Sequence, residues 1–170
     1  MVIASIFVVF PLCLAVAALT DLLTMTIPNR VSAILLGAFV VIAPVAGLDI
    51  GQIGLHLLAA ATVFALCFWL FALGVMGGGD AKLLTASAVW FGLNVSLVSF
   101  LIWVAVLGGV LALVILLLRS KEHVILAAGV PVPSLLLTAK KIPYGIAIAL
   151  GGFAAYPASP MMQVAFTHLS

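Results

Sequence analysis

Six apolar runs, set apart by glycines, prolines and a few charged residues, leave this chain one solvent in which it can fold. They are Val2 to Thr20, Val31 to Leu48, Ile53 to Val75, Leu83 to Val95, Leu97 to Leu118 and Ile142 to Tyr156. A helix that crosses bilayer hydrocarbon needs about 20 apolar residues in succession. Of the 170 residues 67% are hydrophobic and 6% are charged, whereas a soluble domain carries about 25% charged residues to face water. Disorder is excluded by the same numbers, because it needs low hydrophobicity or strong self-repulsion and the mean hydropathy is +1.51. In lipid the backbone must satisfy its own hydrogen bonds, so each run is expected to be helical. The reading is an all-α integral membrane protein of about six transmembrane helices, forming a single domain over residues 1–170. The fourth and sixth runs are short, so either they begin inside the loops before them or they cross a thinned or protein-lined region.

The charges orient these spans. Threading six of them puts Arg30, Lys82, Arg119, Lys121, Lys140 and Lys141 on one side and no Lys or Arg on the other. The positive-inside rule makes that side cytoplasmic, so both termini and the Asp49 loop are expected on the non-cytoplasmic side of the cytoplasmic membrane. Val124 to Ala139 is also apolar, but it holds Pro131 and Pro133 and has basic residues at both ends; it is expected to lie on or re-enter the membrane. Met1 to Leu19 lacks the basic start of a cleaved signal peptide and is expected to stay as a helix. No basic stripe suits nucleic acid. Cys13 and Cys67 have no CxxC spacing and no nearby His, and read as buried, reduced packing residues. No metal site and no cofactor are expected.

Four acidic residues remain. Asp49 and Glu122 fall in loops and read as solvated charges. Asp21 and Asp80 instead lie at the cytoplasmic ends of the first and fourth runs, at the edge of hydrocarbon, where an ionisable residue is a functional candidate by default. Each could also simply mark a helix end in the headgroup layer. Asp80 follows Gly77, Gly78 and Gly79, each costing about 1 kcal/mol in a helix. Glycines fit a place where another backbone must come close, and they also fit a bare turn. Near Asp21, Pro28 cannot continue the first helix and Asn29 is a fair N-cap for the second, an account that needs nothing from Asp21. Two carboxylates at one membrane level suit aspartic hydrolysis, in which a shared proton lets one activate water while the other donates to the substrate. Competing peptidase chemistries lack their parts: there is no HExxH, and His56, His123 and His168 are scattered, away from Cys13, Cys67 and any plausible Ser partner.

Gly77-Gly78-Gly79-Asp80 with Lys82 resembles the GxGD signature of type IV prepilin peptidases, and Asp21 with Ile27-Pro28-Asn29 resembles their first aspartate motif. Lys141-Ile142-Pro143-Tyr144-Gly145 is similar to the start of the family's last helix. The resemblance implies a six-helix intramembrane aspartic peptidase with Asp21 and Asp80 as the catalytic pair. It further implies a prepilin or pseudopilin precursor, held in membrane lipid, as the substrate, cut just before its hydrophobic stretch. Longer members add a cytoplasmic domain with a tetracysteine zinc site that accompanies N-methylation. This chain has neither that length nor those cysteines and looks closer to the short forms of tight-adherence (Flp-type) pilus systems or to archaeal preflagellin peptidases, so methyltransferase activity is not expected. Asp80 opens its helix beside Lys82, which assigns it as the base and Asp21 as the proton donor. Lys82 has a second reading, snorkelling to lipid phosphate. Tyr144 and Gly145 could shape the substrate cleft, and Tyr144 also suits the aromatic belt at the interface. Lipoprotein signal peptidases also use two aspartates, but their Asn- and Arg-containing acid motifs are absent. The alternative from another class is a small proton-coupled transporter or channel subunit, using the same acids as a relay.

Overall fold

The computed structural model describes residues 2–121 and 141–167; Glu122, His123, Lys140, His168 and the Val124 to Ala139 segment lie outside the described residues. The described chain is helical. Its helices are α1 (Val2–Thr24), α2 (Asn29–Val45), α3 (Ile50–Ala72), α4 (Gly78–Ala88), α5 (Val95–Ser120), α6 (Tyr144–Ala155) and α7 (Pro160–Thr167), with a 3-10 turn at Tyr156–Ala158 between the last two.

Each apolar run holds a helix, but the helices are not six equal spans. Among the described residues, three are long and apolar enough to cross a membrane, α1, α3 and α5, and a fourth span is reached if α6 and α7, bent by 44°, count as one. At about 1.5 Å per residue the 11 residues of α4 rise about 16 Å, roughly half the hydrocarbon thickness. This helix does begin in the loop before its run, at Gly78, yet it stops at Ala88. Trp90 and Phe91 just beyond it are fully buried, so they are apolar because they fill the core and not because they span lipid. The sixth run gains length at its other end, through α7, which the hydropathy pattern did not separate.

The turns are made by local chemistry. Gly74 sits in the left-handed region (φ 71°), and Val75 N–H and Gly74 N–H bond back to the carbonyls of Leu70 (3.0 Å) and Phe71 (2.9 Å). This pattern stops α3 with its last carbonyls satisfied, and glycine takes the required conformation without steric cost. At the end of α1 the same left-handed position is occupied by Met25 (φ 53°), whose N–H reaches the Asp21 carbonyl at 2.9 Å. A side chain there costs about 1–2 kcal/mol. The N-cap of α2 is Pro28, with Asn29 as the first helical residue; the expected capping role of Asn29 is therefore wrong, because proline's fixed φ suits the position before the helix and leaves the Asn29 side chain free for a tertiary bond. Asp49 is exposed and closes a capping box on α3, accepting from Gln52 N–H (2.8 Å) while Gln52 Oε1 accepts from Asp49 N–H (3.0 Å).

Helix α6 is the hub, packing on α5, α1 and α4, while α3 lies on α4 and α2 bridges α1 and α4. Small residues let it approach closely: a Cβ on Gly151 would lie 2.9 Å from the Val104 backbone nitrogen, and one on Gly152 would strike Leu14. Such contacts replace the hydrophobic drive that lipid removes. At one end of the bundle Phe10, Trp90, Phe91 and Tyr156 form an aromatic core, with Phe10 stacked on Tyr156 (centroids 4.2 Å). Tyr156 Oη donates to the Ile6 carbonyl (2.8 Å), and Trp90 Nε1 to the Leu35 carbonyl (3.1 Å). His56 Nδ1 donates to the Val89 carbonyl (2.6 Å). Cys13 and Cys67 are buried free thiols. The outer faces of α3 and α5 expose Leu58, Phe64, Trp69, Ile102, Leu113 and Leu117, surface that only lipid accommodates without penalty.

Candidate active site

The opposite end of the bundle gathers the end of α1, the starts of α2, α4 and α6, and the end of α5. Three bonds tie it together. Gly145 N–H donates to Asp21 Oδ2 (2.7 Å), Lys82 Nζ donates to Asn29 Oδ1 (3.0 Å), and Arg119 donates to the Lys141 carbonyl (2.8 Å). Arg30, Lys82, Arg119 and Lys141 thus share one end.

Asp21 lies in the last turn of α1 and is 5% exposed. It is held by a backbone N–H from a helix 124 residues away. Asp80 is the third residue of α4, which follows the N-cap Gly77. The two acids line one cavity of about 220 Å³, together with Met25, Ile27, Gly77–Gly79, Lys141 and Ile142. A larger cavity of about 690 Å³ adjoins it, lined by Asp80, Lys141 and Gly77 and by the apolar side chains of Leu70, Phe71, Val75, Met76, Ile142 and Tyr144. A polar pocket with paired carboxylates therefore opens beside an apolar groove.

The three glycines have different neighbours. A Cβ on Gly77 would sit 2.7 Å from Asp80 Oδ2, one on Gly78 would meet the Phe71 ring at 3.3 Å, and one on Gly79 would touch Ile27 at 3.4 Å. Gly77 is thus the position where a side chain would push the Asp80 carboxylate aside, while Gly79 gives room to the residue before Pro28. Gly145 is equally constrained, because its Cβ would lie 2.9 Å from Asp21 Oδ2 and 3.1 Å from Ile27 Cδ1. Tyr144 is seated on Gly108 of α5 with its ring along the larger cavity, which favours the cleft reading over the interfacial belt.

Lys82 is exposed, and its ammonium donates to Asn29 Oδ1, bracing the start of α4 against the start of α2. Lys141 lines the cavity that both acids share and the larger one beside it. Lys141, Ile142 and Phe71 were not singled out from the sequence as site residues. Lys141 carried a signal, a cation two residues before Pro143, the N-cap of α6, but a lysine at a membrane helix end is read first as an interfacial anchor. Among the described residues, no group of three His, Cys, Asp or Glu is placed to hold a metal ion.

Comparison with known proteins adds one finding. The model of the type IV leader peptidase family matches residues 8–113, a stretch that includes both aspartates and the three glycines and ends before Lys141–Gly145. No curated protein and no solved structure matches the chain.

Proposed function

The chain belongs to the type IV leader peptidase family, and from that premise we propose that it is an intramembrane aspartic endopeptidase of type IV or Flp-type prepilin and pseudopilin precursors. The observation that carries the reading is the single cavity of about 220 Å³ lined by both Asp21 and Asp80. Two carboxylates that interact across a small pocket share a proton. The ionised member takes a proton from water, the protonated member donates to the carbonyl oxygen of the scissile peptide, and the pair returns to its starting state when the amine leaves. Gly77 and Gly78 leave backbone without side chains between the pocket and the apolar groove, so an extended substrate segment can lie against Asp80. The groove's Leu70, Phe71 and Met76 suit the hydrophobic stretch after the cut.

In the same reading the chain makes six passes with both termini outside the cytoplasm, and the acids face the cytoplasmic leaflet. The whole of 1–170 is one catalytic domain, lipid its surroundings. The short α4 fits this scheme as a partial span whose Trp90 end is buried in protein. The transporter alternative draws no support from a peptidase family match.

The test is cleavage of a pilin precursor by the purified protein in detergent. Asp21→Asn and Asp80→Asn should each fold and lose cleavage by about 10²–10⁴-fold, the contribution of a proton-transfer group. Asp49→Asn should retain activity, because asparagine caps a helix as well as aspartate does. Substantial cleavage by either D21N or D80N would sink the aspartic mechanism.

A further inference from the structure

Lys141 is the described cation that lines either cavity, and it lines both: the small one with Asp21 and Asp80, and the apolar groove with Asp80. Its backbone is fixed at two points. Arg119 of α5 donates to its carbonyl at 2.8 Å, and four residues on, Gly145 N–H is bonded to Asp21 at 2.7 Å. Residues 141–145 are therefore strapped between α5 and α1, and Lys141 is kept at the mouth shared by the two cavities.

Resting on the peptidase reading, we propose that Lys141 is a positioning residue that holds the Asp21–Asp80 pair in its singly charged, singly protonated form. Carboxylates withdrawn from water and facing one another tend to bind two protons, and a doubly protonated pair has no base to activate water. One ammonium nearby stabilises a single negative charge on the pair without requiring a second. Among the described residues, the other charged or titratable groups at this end are Arg30 at the start of α2, Lys82 of α4, Arg119 and Lys121 at the end of α5, and Tyr144 of α6; α3 contributes none between Leu70 and Met76. Lys82 is bonded to Asn29, and neither Arg30, Arg119 nor Lys121 lines either cavity. Lys141 lies outside the helices that carry the two acids and borders the cavity both of them line, so its charge bears on the pair and not on one member.

The experiment is an infrared titration of the carboxyl bands of the full chain in detergent, with Asp21→Asn and Asp80→Asn used to identify the bands of the pair. Removing a cation makes proton loss harder, so in Lys141→Gln the midpoint at which the pair gains its second proton should move up by about one pH unit. Lys141→Arg should restore it, and Lys121→Gln should leave it unchanged. In parallel, the acidic limb of the kcat profile on a precursor should rise by the same amount in Lys141→Gln, with KM within about twofold, since charge on the pair bears on chemistry and not on binding. An unshifted carboxyl titration in Lys141→Gln overturns the proposal, as does a Lys141→Arg variant as perturbed as Lys141→Gln. The titration needs no turnover, so absence of precursor cleavage by the wild-type chain would count against the peptidase reading alone.

Discussion

Replacing Gly145 by alanine adds one methyl group at the most confined point beside Asp21. The new Cβ would stand 2.9 Å from Asp21 Oδ2, 3.0 Å from Asp21 Cβ and 3.1 Å from Ile27 Cδ1. Relaxed carbon contacts are about 3.5–4.0 Å, so α1 and α6 must separate by about half an ångström or the Asp21 side chain must turn away. Overpacking of this kind costs about 1–3 kcal/mol in stability. The larger effect is on geometry, because the Gly145 N–H that fixes Asp21 at 2.7 Å moves with the same displacement. A misplacement of 1 Å costs about 10²-fold in rate, so half of that predicts a loss of about tenfold in kcat. Gly109→Ala is the matched control: nothing lies within 4 Å of its Cβ, and in a helix interior the change should stabilise by up to about 1 kcal/mol. The assay is precursor cleavage at saturating substrate, with thermal unfolding recorded for each variant in the same detergent. Wild-type kcat in G145A, with the protein folded, would refute the claim that the backbone of α6 positions Asp21.

Two further predictions concern the surroundings of the site. A cysteine at Ser120 should be labelled by an impermeant reagent only from the cytoplasm and one at Asp49 only from outside, since threading the proposed six passes puts the cations on one side; labelling of both from one face breaks that topology. The product of cleavage by the purified chain with S-adenosylmethionine present should carry no methyl group by mass spectrometry, because the 170 residues hold only two cysteines, too few for a tetracysteine site.

The parts of this protein that could be read from the sequence are those set by what a residue is, and the parts that could not are those set by what it meets. Leu97 to Leu118 is a helix in lipid whatever surrounds it, and α5 duly runs Val95–Ser120. The fourth run was read on to Val95, but Val89 to Asn94 is not helical: Trp90 and Phe91 are buried against Phe10, and Gly92 takes φ 68°. Hydropathy counts removal from water and does not tell lipid from protein. The aspartates were legible because a carboxylate at the edge of hydrocarbon is costly enough to demand a reason. Lys141 was not, since a lysine at a helix end already has an ordinary explanation. Asn29 was misjudged for the converse reason: its local capping propensity was outweighed by a bond to Lys82, 53 residues away.

Asp21 also carries a structural duty that its motif does not announce. Helix N-termini leave N–H groups without intrahelical partners, normally met by a capping side chain. The N-cap of α6 is Pro143, which makes no side-chain capping bond. Asp21 accepts from Gly145 N–H in the first turn of α6. It thus takes the place of a missing cap, and the bond holds its carboxylate at the pocket that Asp80 also lines. At Asp21, therefore, the geometry of the pocket and the termination of α6 depend on the same atoms. Alanine variants would confound the two by removing a cap worth about 1 kcal/mol. Asparagine keeps an oxygen acceptor at the same position and removes the exchangeable proton, which makes loss of cleavage in D21N or D80N attributable to chemistry.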